Sequence, residues 1–282
     1  MADIEKRLRR VMRMDGLYLY CLREKTGDSR AMSAKGIDGK EDVFILPYRR
    51  LEAIVSRVSL AEFGSEEIQR KAREDLSWIK EKALIHEGVI EEAMGKGGKI
   101  LSLIPMRFGT VFKEKTKIEE TLDKDYIKFE EVMDRIRGKQ EWSAKVYLKD
   151  KGILEQGIKE NNETIKEKVE EIAALPEGIA FFMEEEVKRL VAEELDMALS
   201  NSVNGLFDRL ASRSAASIKS RILAKELTGR DEPMVLNSAY LIPEDDIDDF
   251  KKEAEAINQE IQAKGLYLEY SGPWPGYNFS GY

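Results

Sequence analysis

The chain offers carboxylates and lysines for catalysis but almost no histidine or cysteine. His86 is the only histidine and Cys21 the only cysteine among 282 residues, which excludes an intrachain disulfide and a metal site built from several of these residues. His86 and Glu87 suggest an acid–base pair, but adjacent helical residues point about 100° apart. His86 also falls on an apolar stripe with Ala83 and Ile90. We therefore expect a hydrogen-bonded histidine at the edge of a core, and we predict no catalytic residue.

Two short motifs resemble ligand sites but lack the residues that such sites need. GKGGK, Gly95–Lys99, follows a predicted helix, whereas a phosphate-binding loop precedes one and ends in Lys followed by Ser or Thr. Ile100 occupies that last position. EDDIDD, Glu244–Asp249, lacks the glycine and the distal Glu of an EF-hand loop, and it falls in the first turn of a predicted helix, where carboxylates are favoured. We predict no cofactor and no metal site.

The segment MRFGT, Met106–Thr110, is more informative. Arg107 and Phe108 precede a glycine, directly after an apolar strand. Such a pair could meet a carboxylate or present a contact surface to a partner. Alternatively, Arg107 makes an internal salt bridge or hydrogen bonds to a loop. The residues alone favour neither interpretation.

The chain ends on its most aromatic stretch, GPWPGYNFSGY, Gly272–Tyr282. Pro273 and Pro275 impose extended backbone and prevent a helix. The aromatic side chains could pack across a sheet or a domain seam, or they could form a patch for an apolar partner. The residues concerned are Tyr267, Tyr270, Trp274, Tyr277, Phe279 and Tyr282.

Composition limits the classes of partner. The net charge of −8 argues against general binding to nucleic acid or to anionic membranes, because both need a basic face. The 42% apolar content supports a core, and the 35% charged content is typical of solvated amphipathic helices. The sequence contains no apolar run long enough to span a membrane, and its start lacks the apolar segment of a signal peptide. We expect a soluble, cytoplasmic protein.

Apolar periodicity predicts an α+β fold in the first half of the chain. One stripe of Leu76, Ile79, Ala83, His86, Ile90 and Met94 predicts a helix from Asp75. The order is strand, β-hairpin, helix, strand, helix, strand, which has one strand more than the βαββαβ order of ferredoxin-like folds. We predict a ferredoxin-like sandwich variant over residues 1–150. Its predicted elements are strands at Leu17–Leu22, Val43–Tyr48, Leu51–Val58, Ile100–Phe112 and Glu141–Leu148 and helices from Asp75 and over Lys117–Arg137.

The second half is predicted to be a helix-rich α/β domain over residues 151–282. One charged helix stops at Pro176, and a longer helical region runs from Gly178 to about Leu227 with an interruption at Asn204-Gly205. Strands are predicted near 234–242 and 266–271, with a helix between them. The aromatic tail follows the last strand.

Five segments together resemble the GvpF/GvpL family of gas vesicle proteins. They occur in the family's order, which makes the combination specific. One difference lies in the tail, where the family pattern is GPWPPY-x-F and Gly276 replaces a proline. The segments are DLSWIKEKALIHEGVIEEAM with Trp78 and His86, LIPMRFGTVF (Leu103–Phe112), EWSAKVY (Glu141–Tyr147), VLNSAYLIP (Val235–Pro243) and GPWPGYNF (Gly272–Phe279).

The resemblance implies a non-enzymatic accessory protein of gas vesicle assembly. Its expected partners are the small hydrophobic shell protein GvpA and other gas vesicle accessory proteins, with action during nucleation or at the gas-facing surface. It implies a two-domain fold with a ferredoxin-like N-terminal domain, and it does not separate F-type from L-type roles. The candidate partner-binding residues, which would serve the fold or the contact, are Arg107, Phe108, Trp274, Tyr277 and Phe279.

Two rival classes remain open at this point. A ligand-binding or enzymatic α+β module would need a polar pocket with perturbed titratable groups, for which Arg107, Glu141 and His86 are candidates. An RNA-binding sheet would need exposed aromatic residues with basic surroundings. LYLYCL and EWSAKVYL offer the aromatic residues, but the acidic balance of the chain opposes that function.

Overall fold

The computed structural model describes residues 15–25, 32–95 and 100–281 of the chain. Most of the GKGGK segment therefore lies outside the described residues. The chain forms two compact units, Met1–Glu141 with Trp274–Tyr282 and Trp142–Pro273. The sequence analysis placed a domain boundary near residue 150, whereas the first unit ends at residue 141 in the chain and resumes for the last nine residues.

Both units contain strands and helices. The first unit contains β1 (Asp15–Glu24), β2 (Val43–Tyr48), β3 (Leu51–Ser59), α1 (Leu60–Phe63), α2 (Ser65–Glu74), α3 (Leu76–Met94), β4 (Leu103–Pro105), β5 (Val111–Phe112), α4 (Lys115–Lys124) and α5 (Tyr126–Ile136). Next come β6 (Lys139–Leu148), α6 (Lys151–Asn161), α7 (Glu163–Ala173), α8 (Glu177–Ala211), β7 (Ala216–Lys219), α9 (Lys225–Thr228), β8 (Met234–Pro243), α10 (Ile247–Gln262) and β9 (Leu266–Trp274).

The sheet of the first unit is built around β1. Its strand order is β2-β3-β1-β4, with β5 also paired to β1 and all of these pairings antiparallel. The register with β3 shifts between Leu19 and Cys21, so that Tyr20 is the extra residue of a β-bulge. Because of this bulge, the consecutive Tyr20 and Cys21 both contribute to one buried cluster.

Helix α3 covers this core with a different face from the one predicted. Leu76 and Ala83 were expected inside, but both are exposed, so that part of the prediction is wrong. The buried face follows Trp78 and Lys82 instead, and the Lys82 ammonium pairs with Glu81 at 2.9 Å. Apolar residues occur on several sides of α3, and Lys82 falls within its buried face. A hydropathy pattern therefore does not identify that face. The C-terminal half of the predicted stripe, with His86, Ile90 and Met94, is buried as expected.

The second unit has the βαββαβ order of ferredoxin-like folds. Helices α6 to α8 join β6 to β7, and α10 joins β8 to β9. The strand order is β7-β8-β6-β9, which matches the first sheet when the strands of each unit are numbered from its own start. A buried cluster between this sheet and its helices includes Trp142, Tyr240 and Phe250. The predicted α+β class with two sheet-containing parts is confirmed.

Two details of the second half differ from the sequence prediction. Helix α8 continues through Asn204-Gly205, where an interruption was expected. It ends at Ala211 and β7 follows, where helix was expected to about Leu227. Strand β7 pairs antiparallel with β8. The strand that contains EWSAKVY was assigned to the first half, but it pairs within the second sheet. Pairing between strands that are distant in the chain leaves no local signal.

Within the described ranges, no helix combines the length and apolar character that crossing a membrane requires.

Gly265 closes a tight approach between two segments of the second unit. Its φ is +72°, and a Cβ there would lie 2.2 Å from the carbonyl oxygen of Asp150. Gly229 has a similar φ of +67°, but it has open space around the Cβ position. We expect Gly229→Ala to cost about 1 kcal/mol of unfolding free energy, from the left-handed backbone alone. Gly265→Ala should cost at least about 2 kcal/mol more, because backbone must move.

Urea denaturation followed by circular dichroism measures this difference. Equal losses in Gly265→Ala and Gly229→Ala would show that the close approach to Asp150 does not constrain the unit.

Candidate partner-binding surface

The RFGT loop leaves the first sheet between two strands that both pair with β1. Strand β4 pairs with the C-terminal half of β1, and β5 pairs with its start. The loop between them is tied at both ends, because Met106 N–H donates to the Tyr20 carbonyl at 2.8 Å and Leu19 N–H donates to the Thr110 carbonyl at 2.9 Å. The sheet therefore holds both ends of Met106–Thr110.

Within the loop, Arg107 to Thr110 form a hydrogen-bonded β-turn. The Thr110 N–H and hydroxyl both donate to the Arg107 carbonyl, at 3.1 and 2.7 Å. Gly109 has φ +85°, the backbone conformation that type II turns need at their third residue and that glycine adopts without strain. The Arg107 side chain is exposed. Phe108 is half-buried, with its ring 5.8 Å from the His86 ring in an edge-on contact.

A chain of buried hydrogen bonds supports the loop from below. Gly109 N–H donates to the Tyr18 hydroxyl at 2.8 Å. The Tyr18 oxygen lies 3.1 Å from His86 Nδ1, and His86 Nε2 lies 3.2 Å from the Met106 carbonyl oxygen. Because a carbonyl only accepts, Nε2 carries the proton, and Nδ1 of the neutral ring accepts from the Tyr18 hydroxyl. The Tyr18 hydroxyl, both His86 nitrogens and the Met106 carbonyl all have a hydrogen-bond partner only while His86 is neutral.

Burial determines the protonation states of His86 and Tyr18. Burial lowers the pKa of His86 to about 4, although the hydrogen bond to Met106 opposes the shift. Burial likewise raises the pKa of Tyr18 well above its usual range. Both rings are therefore neutral around pH 7, which makes the pair a support for backbone and not a proton-transfer site.

The C-terminal tail packs within the same unit through two carboxylates. The Tyr277 hydroxyl donates to Glu87, the residue next to His86 on α3. The Asn278 N–H and side-chain amide donate to Glu141 at 3.0 and 2.6 Å. Ser280 N–H closes the turn by donating to the Gly276 carbonyl at 2.9 Å. The tail is thus a folded part of the unit.

Burial raises the pKa of both carboxyl groups that hold the tail. For Glu141, hydrogen bonds from Asn278 and the Phe279 backbone oppose the effect. For Glu87, the Tyr277 hydroxyl opposes burial and the nearby Glu91 adds to it. Donors from the tail therefore stabilise the two charged forms where they are partly desolvated.

The tail has a buried side and an exposed side. Pro275 and Ser280 are buried, and Phe279 is 8% exposed. Trp274 and Tyr277 each keep 38% of their surface exposed. Packing of the tail therefore involves Pro275, Phe279 and Ser280, and Trp274 and Tyr277 are the exposed aromatic residues.

Two routes join three of the five predicted residues to helix α3. Arg107 and Phe108 lie in the loop that His86 supports, and Tyr277 is bound to Glu87, the next residue of α3. Tyr18 and Asn278, which the sequence analysis did not single out, make part of these attachments, and Glu87 and Glu141, which it considered only for acid–base chemistry or a pocket, hold the tail. Tyr18 and Tyr20 alternate on β1, but their hydroxyls have different partners, since Tyr20 binds Ser56 and the Ile37 N–H.

His86 and Glu141, two of the candidates for an enzymatic pocket, make structural contacts. His86 is bound to Tyr18 and Met106, and Glu141 is bound to Asn278. Among the described side chains, Arg107 has no ion pair, and no cluster of three or more His, Cys, Asp or Glu residues could hold a metal ion.

The family assignment follows from comparison with known proteins. A family model described as "Gas vesicle synthesis protein GvpL/GvpF" matches residues 16–281. The chain belongs to the GvpL/GvpF family. It therefore has a gas vesicle role, in a family of structural and accessory proteins that is not a known enzyme family.

Relatives of both types share sequence and fold with this GvpL/GvpF chain. It is 27% identical over 201 residues to gas vesicle protein F of a Nostoc species, covering 69% of this chain and 75% of that protein. It is 24% identical over 267 residues to gas vesicle protein L of a Streptomyces species, covering 94% and 92%. The crystal structure of GvpF from an Anabaena species has the same fold, with a TM-score of 0.70 at 21% identity, covering 94% of this chain and 98% of that one. GvpF from Microcystis aeruginosa gives a TM-score of 0.61 at 22% identity with the same coverage.

The buried, neutral His86 predicts how the unfolding free energy changes with pH. A histidine with a pKa near 4 in the folded protein and 6.5 unfolded binds fewer protons when folded, so its contribution to stability is present above pH 6.5 and is lost as pH falls towards 4. Between pH 7.5 and 5, the wild type should lose about 2 kcal/mol more unfolding free energy than His86→Gln. Glutamine keeps a donor and an acceptor but does not titrate, so urea denaturation of both proteins at both pH values isolates the effect. Parallel losses would contradict a neutral, buried His86.

Proposed function

We propose that this GvpL/GvpF protein is a non-enzymatic accessory protein of gas vesicle assembly that binds the hydrophobic shell protein GvpA, during nucleation or at the gas-facing surface. A shell subunit apolar enough to enclose gas exposes surface that promotes aggregation before assembly. A highly charged partner with restricted apolar contacts prevents that aggregation and releases the subunit when it assembles. Other gas vesicle accessory proteins are further partners under this proposal, and the protein acts in the cytoplasm at the vesicle.

The observation that carries the proposal is that the tail and the RFGT loop both present exposed aromatic or arginine side chains on a fixed backbone. Trp274 and Tyr277 are 38% exposed on a segment whose other side is buried. Arg107 is exposed on a turn that the hydrogen bonds of Tyr18 and His86 support. Aromatic and arginine side chains are the residues that most often dominate protein–protein binding energy, and fixed positions reduce the entropy lost on binding.

The predicted partner-binding residues then divide into two roles. Arg107, Trp274 and Tyr277 contact the shell protein. Phe108 and Phe279 pack under the loop and the tail, where they hold the contacting side chains in position. The support for this division is burial, since Phe279 is 8% exposed and Phe108 packs against the core cluster.

Capture of co-expressed GvpA by the tagged, full-length protein tests the proposal. We expect Arg107→Ala combined with Trp274→Ala to reduce captured GvpA at least about ten-fold, the effect typical of removing central arginine and tryptophan contacts. The matched control is Ile127→Ala, which removes an apolar side chain that is 73% exposed in the same unit and should leave capture unchanged.

Two results would count against the proposal. Failure of the wild-type protein to capture GvpA would contradict the function itself. Undiminished capture by the folded double variant would leave Arg107 and Trp274 with a packing role only.

A further inference from the structure

An open groove lies between α1, α2 and β5 in the first unit. Its volume is about 660 Å³, within the range of about 300–1,000 Å³ that is usual for ligand pockets. Leu60, Ala61 and Val111 form its apolar part. Leu60 and Val111 are half-buried and Ala61 is exposed, so the groove presents apolar surface that the described residues leave open. We call this feature the α1–α2 groove.

The rim of the α1–α2 groove carries charges of both signs. Arg70 lines the groove and is bound by Glu67 and Glu74 of its own helix. Within the described part of the chain, two further carboxylates and one cation at the rim make no ion pair or hydrogen bond. The carboxylates are Glu66, which lines the groove, and Glu62 on α1, and the cation is Lys113 on the β5 side.

The chain enters β1 at the edge of this groove. Asp15, the first residue of β1, pairs with Ser59, the residue before Leu60. Gly16 lies so close to Leu60 that a Cβ on it would be 2.4 Å from Leu60 Cδ2. Residues 1–14, which we call the N-terminal segment, lie outside the described residues and outside the matched family region, which begins at residue 16. They are therefore joined to the first unit directly beside the groove.

The amino-acid sequence of the N-terminal segment, MADIEKRLRRVMRM, complements the groove. Ile4, Leu8 and Val11 recur at the spacing of one helix face. On such a helix, Arg9 and Arg13 fall on the opposite side. Five Lys and Arg against two Asp and Glu give the segment a net charge of +3, in a chain whose net charge is −8. The segment thus offers an apolar stripe for the groove and an excess of cations for its rim.

We propose that the N-terminal segment docks as an amphipathic helix into the α1–α2 groove of its own chain. Leu8 and Val11 cover the apolar groove residues, and basic side chains of the segment reach the rim carboxylates Glu62 and Glu66. Because the segment is joined to β1 at the groove, it meets the groove at high effective concentration and only a short loop must close. Docking also withholds a basic amphipathic helix from the anionic surfaces that such helices bind. This inference does not depend on the proposed function.

Amide hydrogen exchange in the full-length protein tests the docking. The N–H groups of Ser65, Glu66 and Glu67 begin α2 and have no partner within the helix, so they exchange fast unless the segment covers them. Leu8→Gln combined with Val11→Gln removes the apolar stripe and leaves the net charge unchanged. We expect exchange at these three amides to be about ten-fold faster in this variant, as when a contact that is populated about nine-tenths of the time is lost.

Ala61→Lys tests the same contact from the groove side. Its ammonium group repels the basic segment, and residue 61 is exposed, so the fold is retained. We expect the same acceleration of exchange at residues 65–67. Adding Ala61→Lys to the Leu8 and Val11 changes should accelerate exchange no further, because the contact is already lost. The matched control is Ala83→Lys, at an exposed alanine on α3 of the same unit, which should exchange as the wild type does.

Three results would overturn the inference, each in variants that keep the circular dichroism spectrum and urea midpoint of the wild type. Equal exchange at residues 65–67 in the wild type and in both variants would show that the segment does not cover the groove. Protection that rises with protein concentration would assign the cover to a second copy of the chain. Unchanged groove exchange, together with binding to phosphatidylcholine–phosphatidylglycerol vesicles that the Leu8 and Val11 variant loses, would assign the segment to a lipid surface.

Discussion

The first unit depends on one neutral histidine that is hydrogen-bonded on both sides inside the core. His86 donates to the Met106 carbonyl and accepts from Tyr18, whose oxygen accepts from the N–H of Gly109. A buried polar group without a partner costs about 1–3 kcal/mol, so these bonds act as one unit in which each depends on the next. The RFGT turn is held through this chain and through the sheet, and its Arg107 side chain is free to face solvent.

Helix α3 then joins this loop to the end of the chain. Glu87 follows His86 and binds the Tyr277 hydroxyl, so one helical turn anchors two segments that are 170 residues apart in sequence (Arg107 and Tyr277). The separation of adjacent side chains by about 100° directs His86 into the core and Glu87 towards the tail. Tail burial at Phe279 and attachment of Asn278 to Glu141 complete the anchoring. The loop and the tail are thus both held in fixed positions on the first unit.

Local hydropathy and composition predict much of this fold, and there are physical reasons for the elements that they miss. The helix at Leu76–Met94 and the strands near residues 17, 43, 51, 234 and 266 follow from hydropathy and β-branched composition. The buried face of α3 was missed because Lys82 interrupts its apolar stripe, and the short strand β7 was missed because its partner, β8, supplies its stability. The sequence drew attention to RFGT and the aromatic tail, but it gave no sign that Glu87 and Glu141 bind the tail, because their partners Tyr277 and Asn278 are distant in sequence. Polar partners that are distant in sequence leave no periodic signal.

The claim that one turn of α3 anchors both segments is tested most directly by amide hydrogen exchange in Glu87→Ala. The account predicts faster exchange in residues 276–281 than in the wild type, because the Tyr277 attachment is lost, with unchanged exchange in residues 106–110, which His86 still supports. Unchanged exchange in the tail would contradict the role of Glu87. Equal acceleration in both segments would contradict the separate attachment of the loop and the tail.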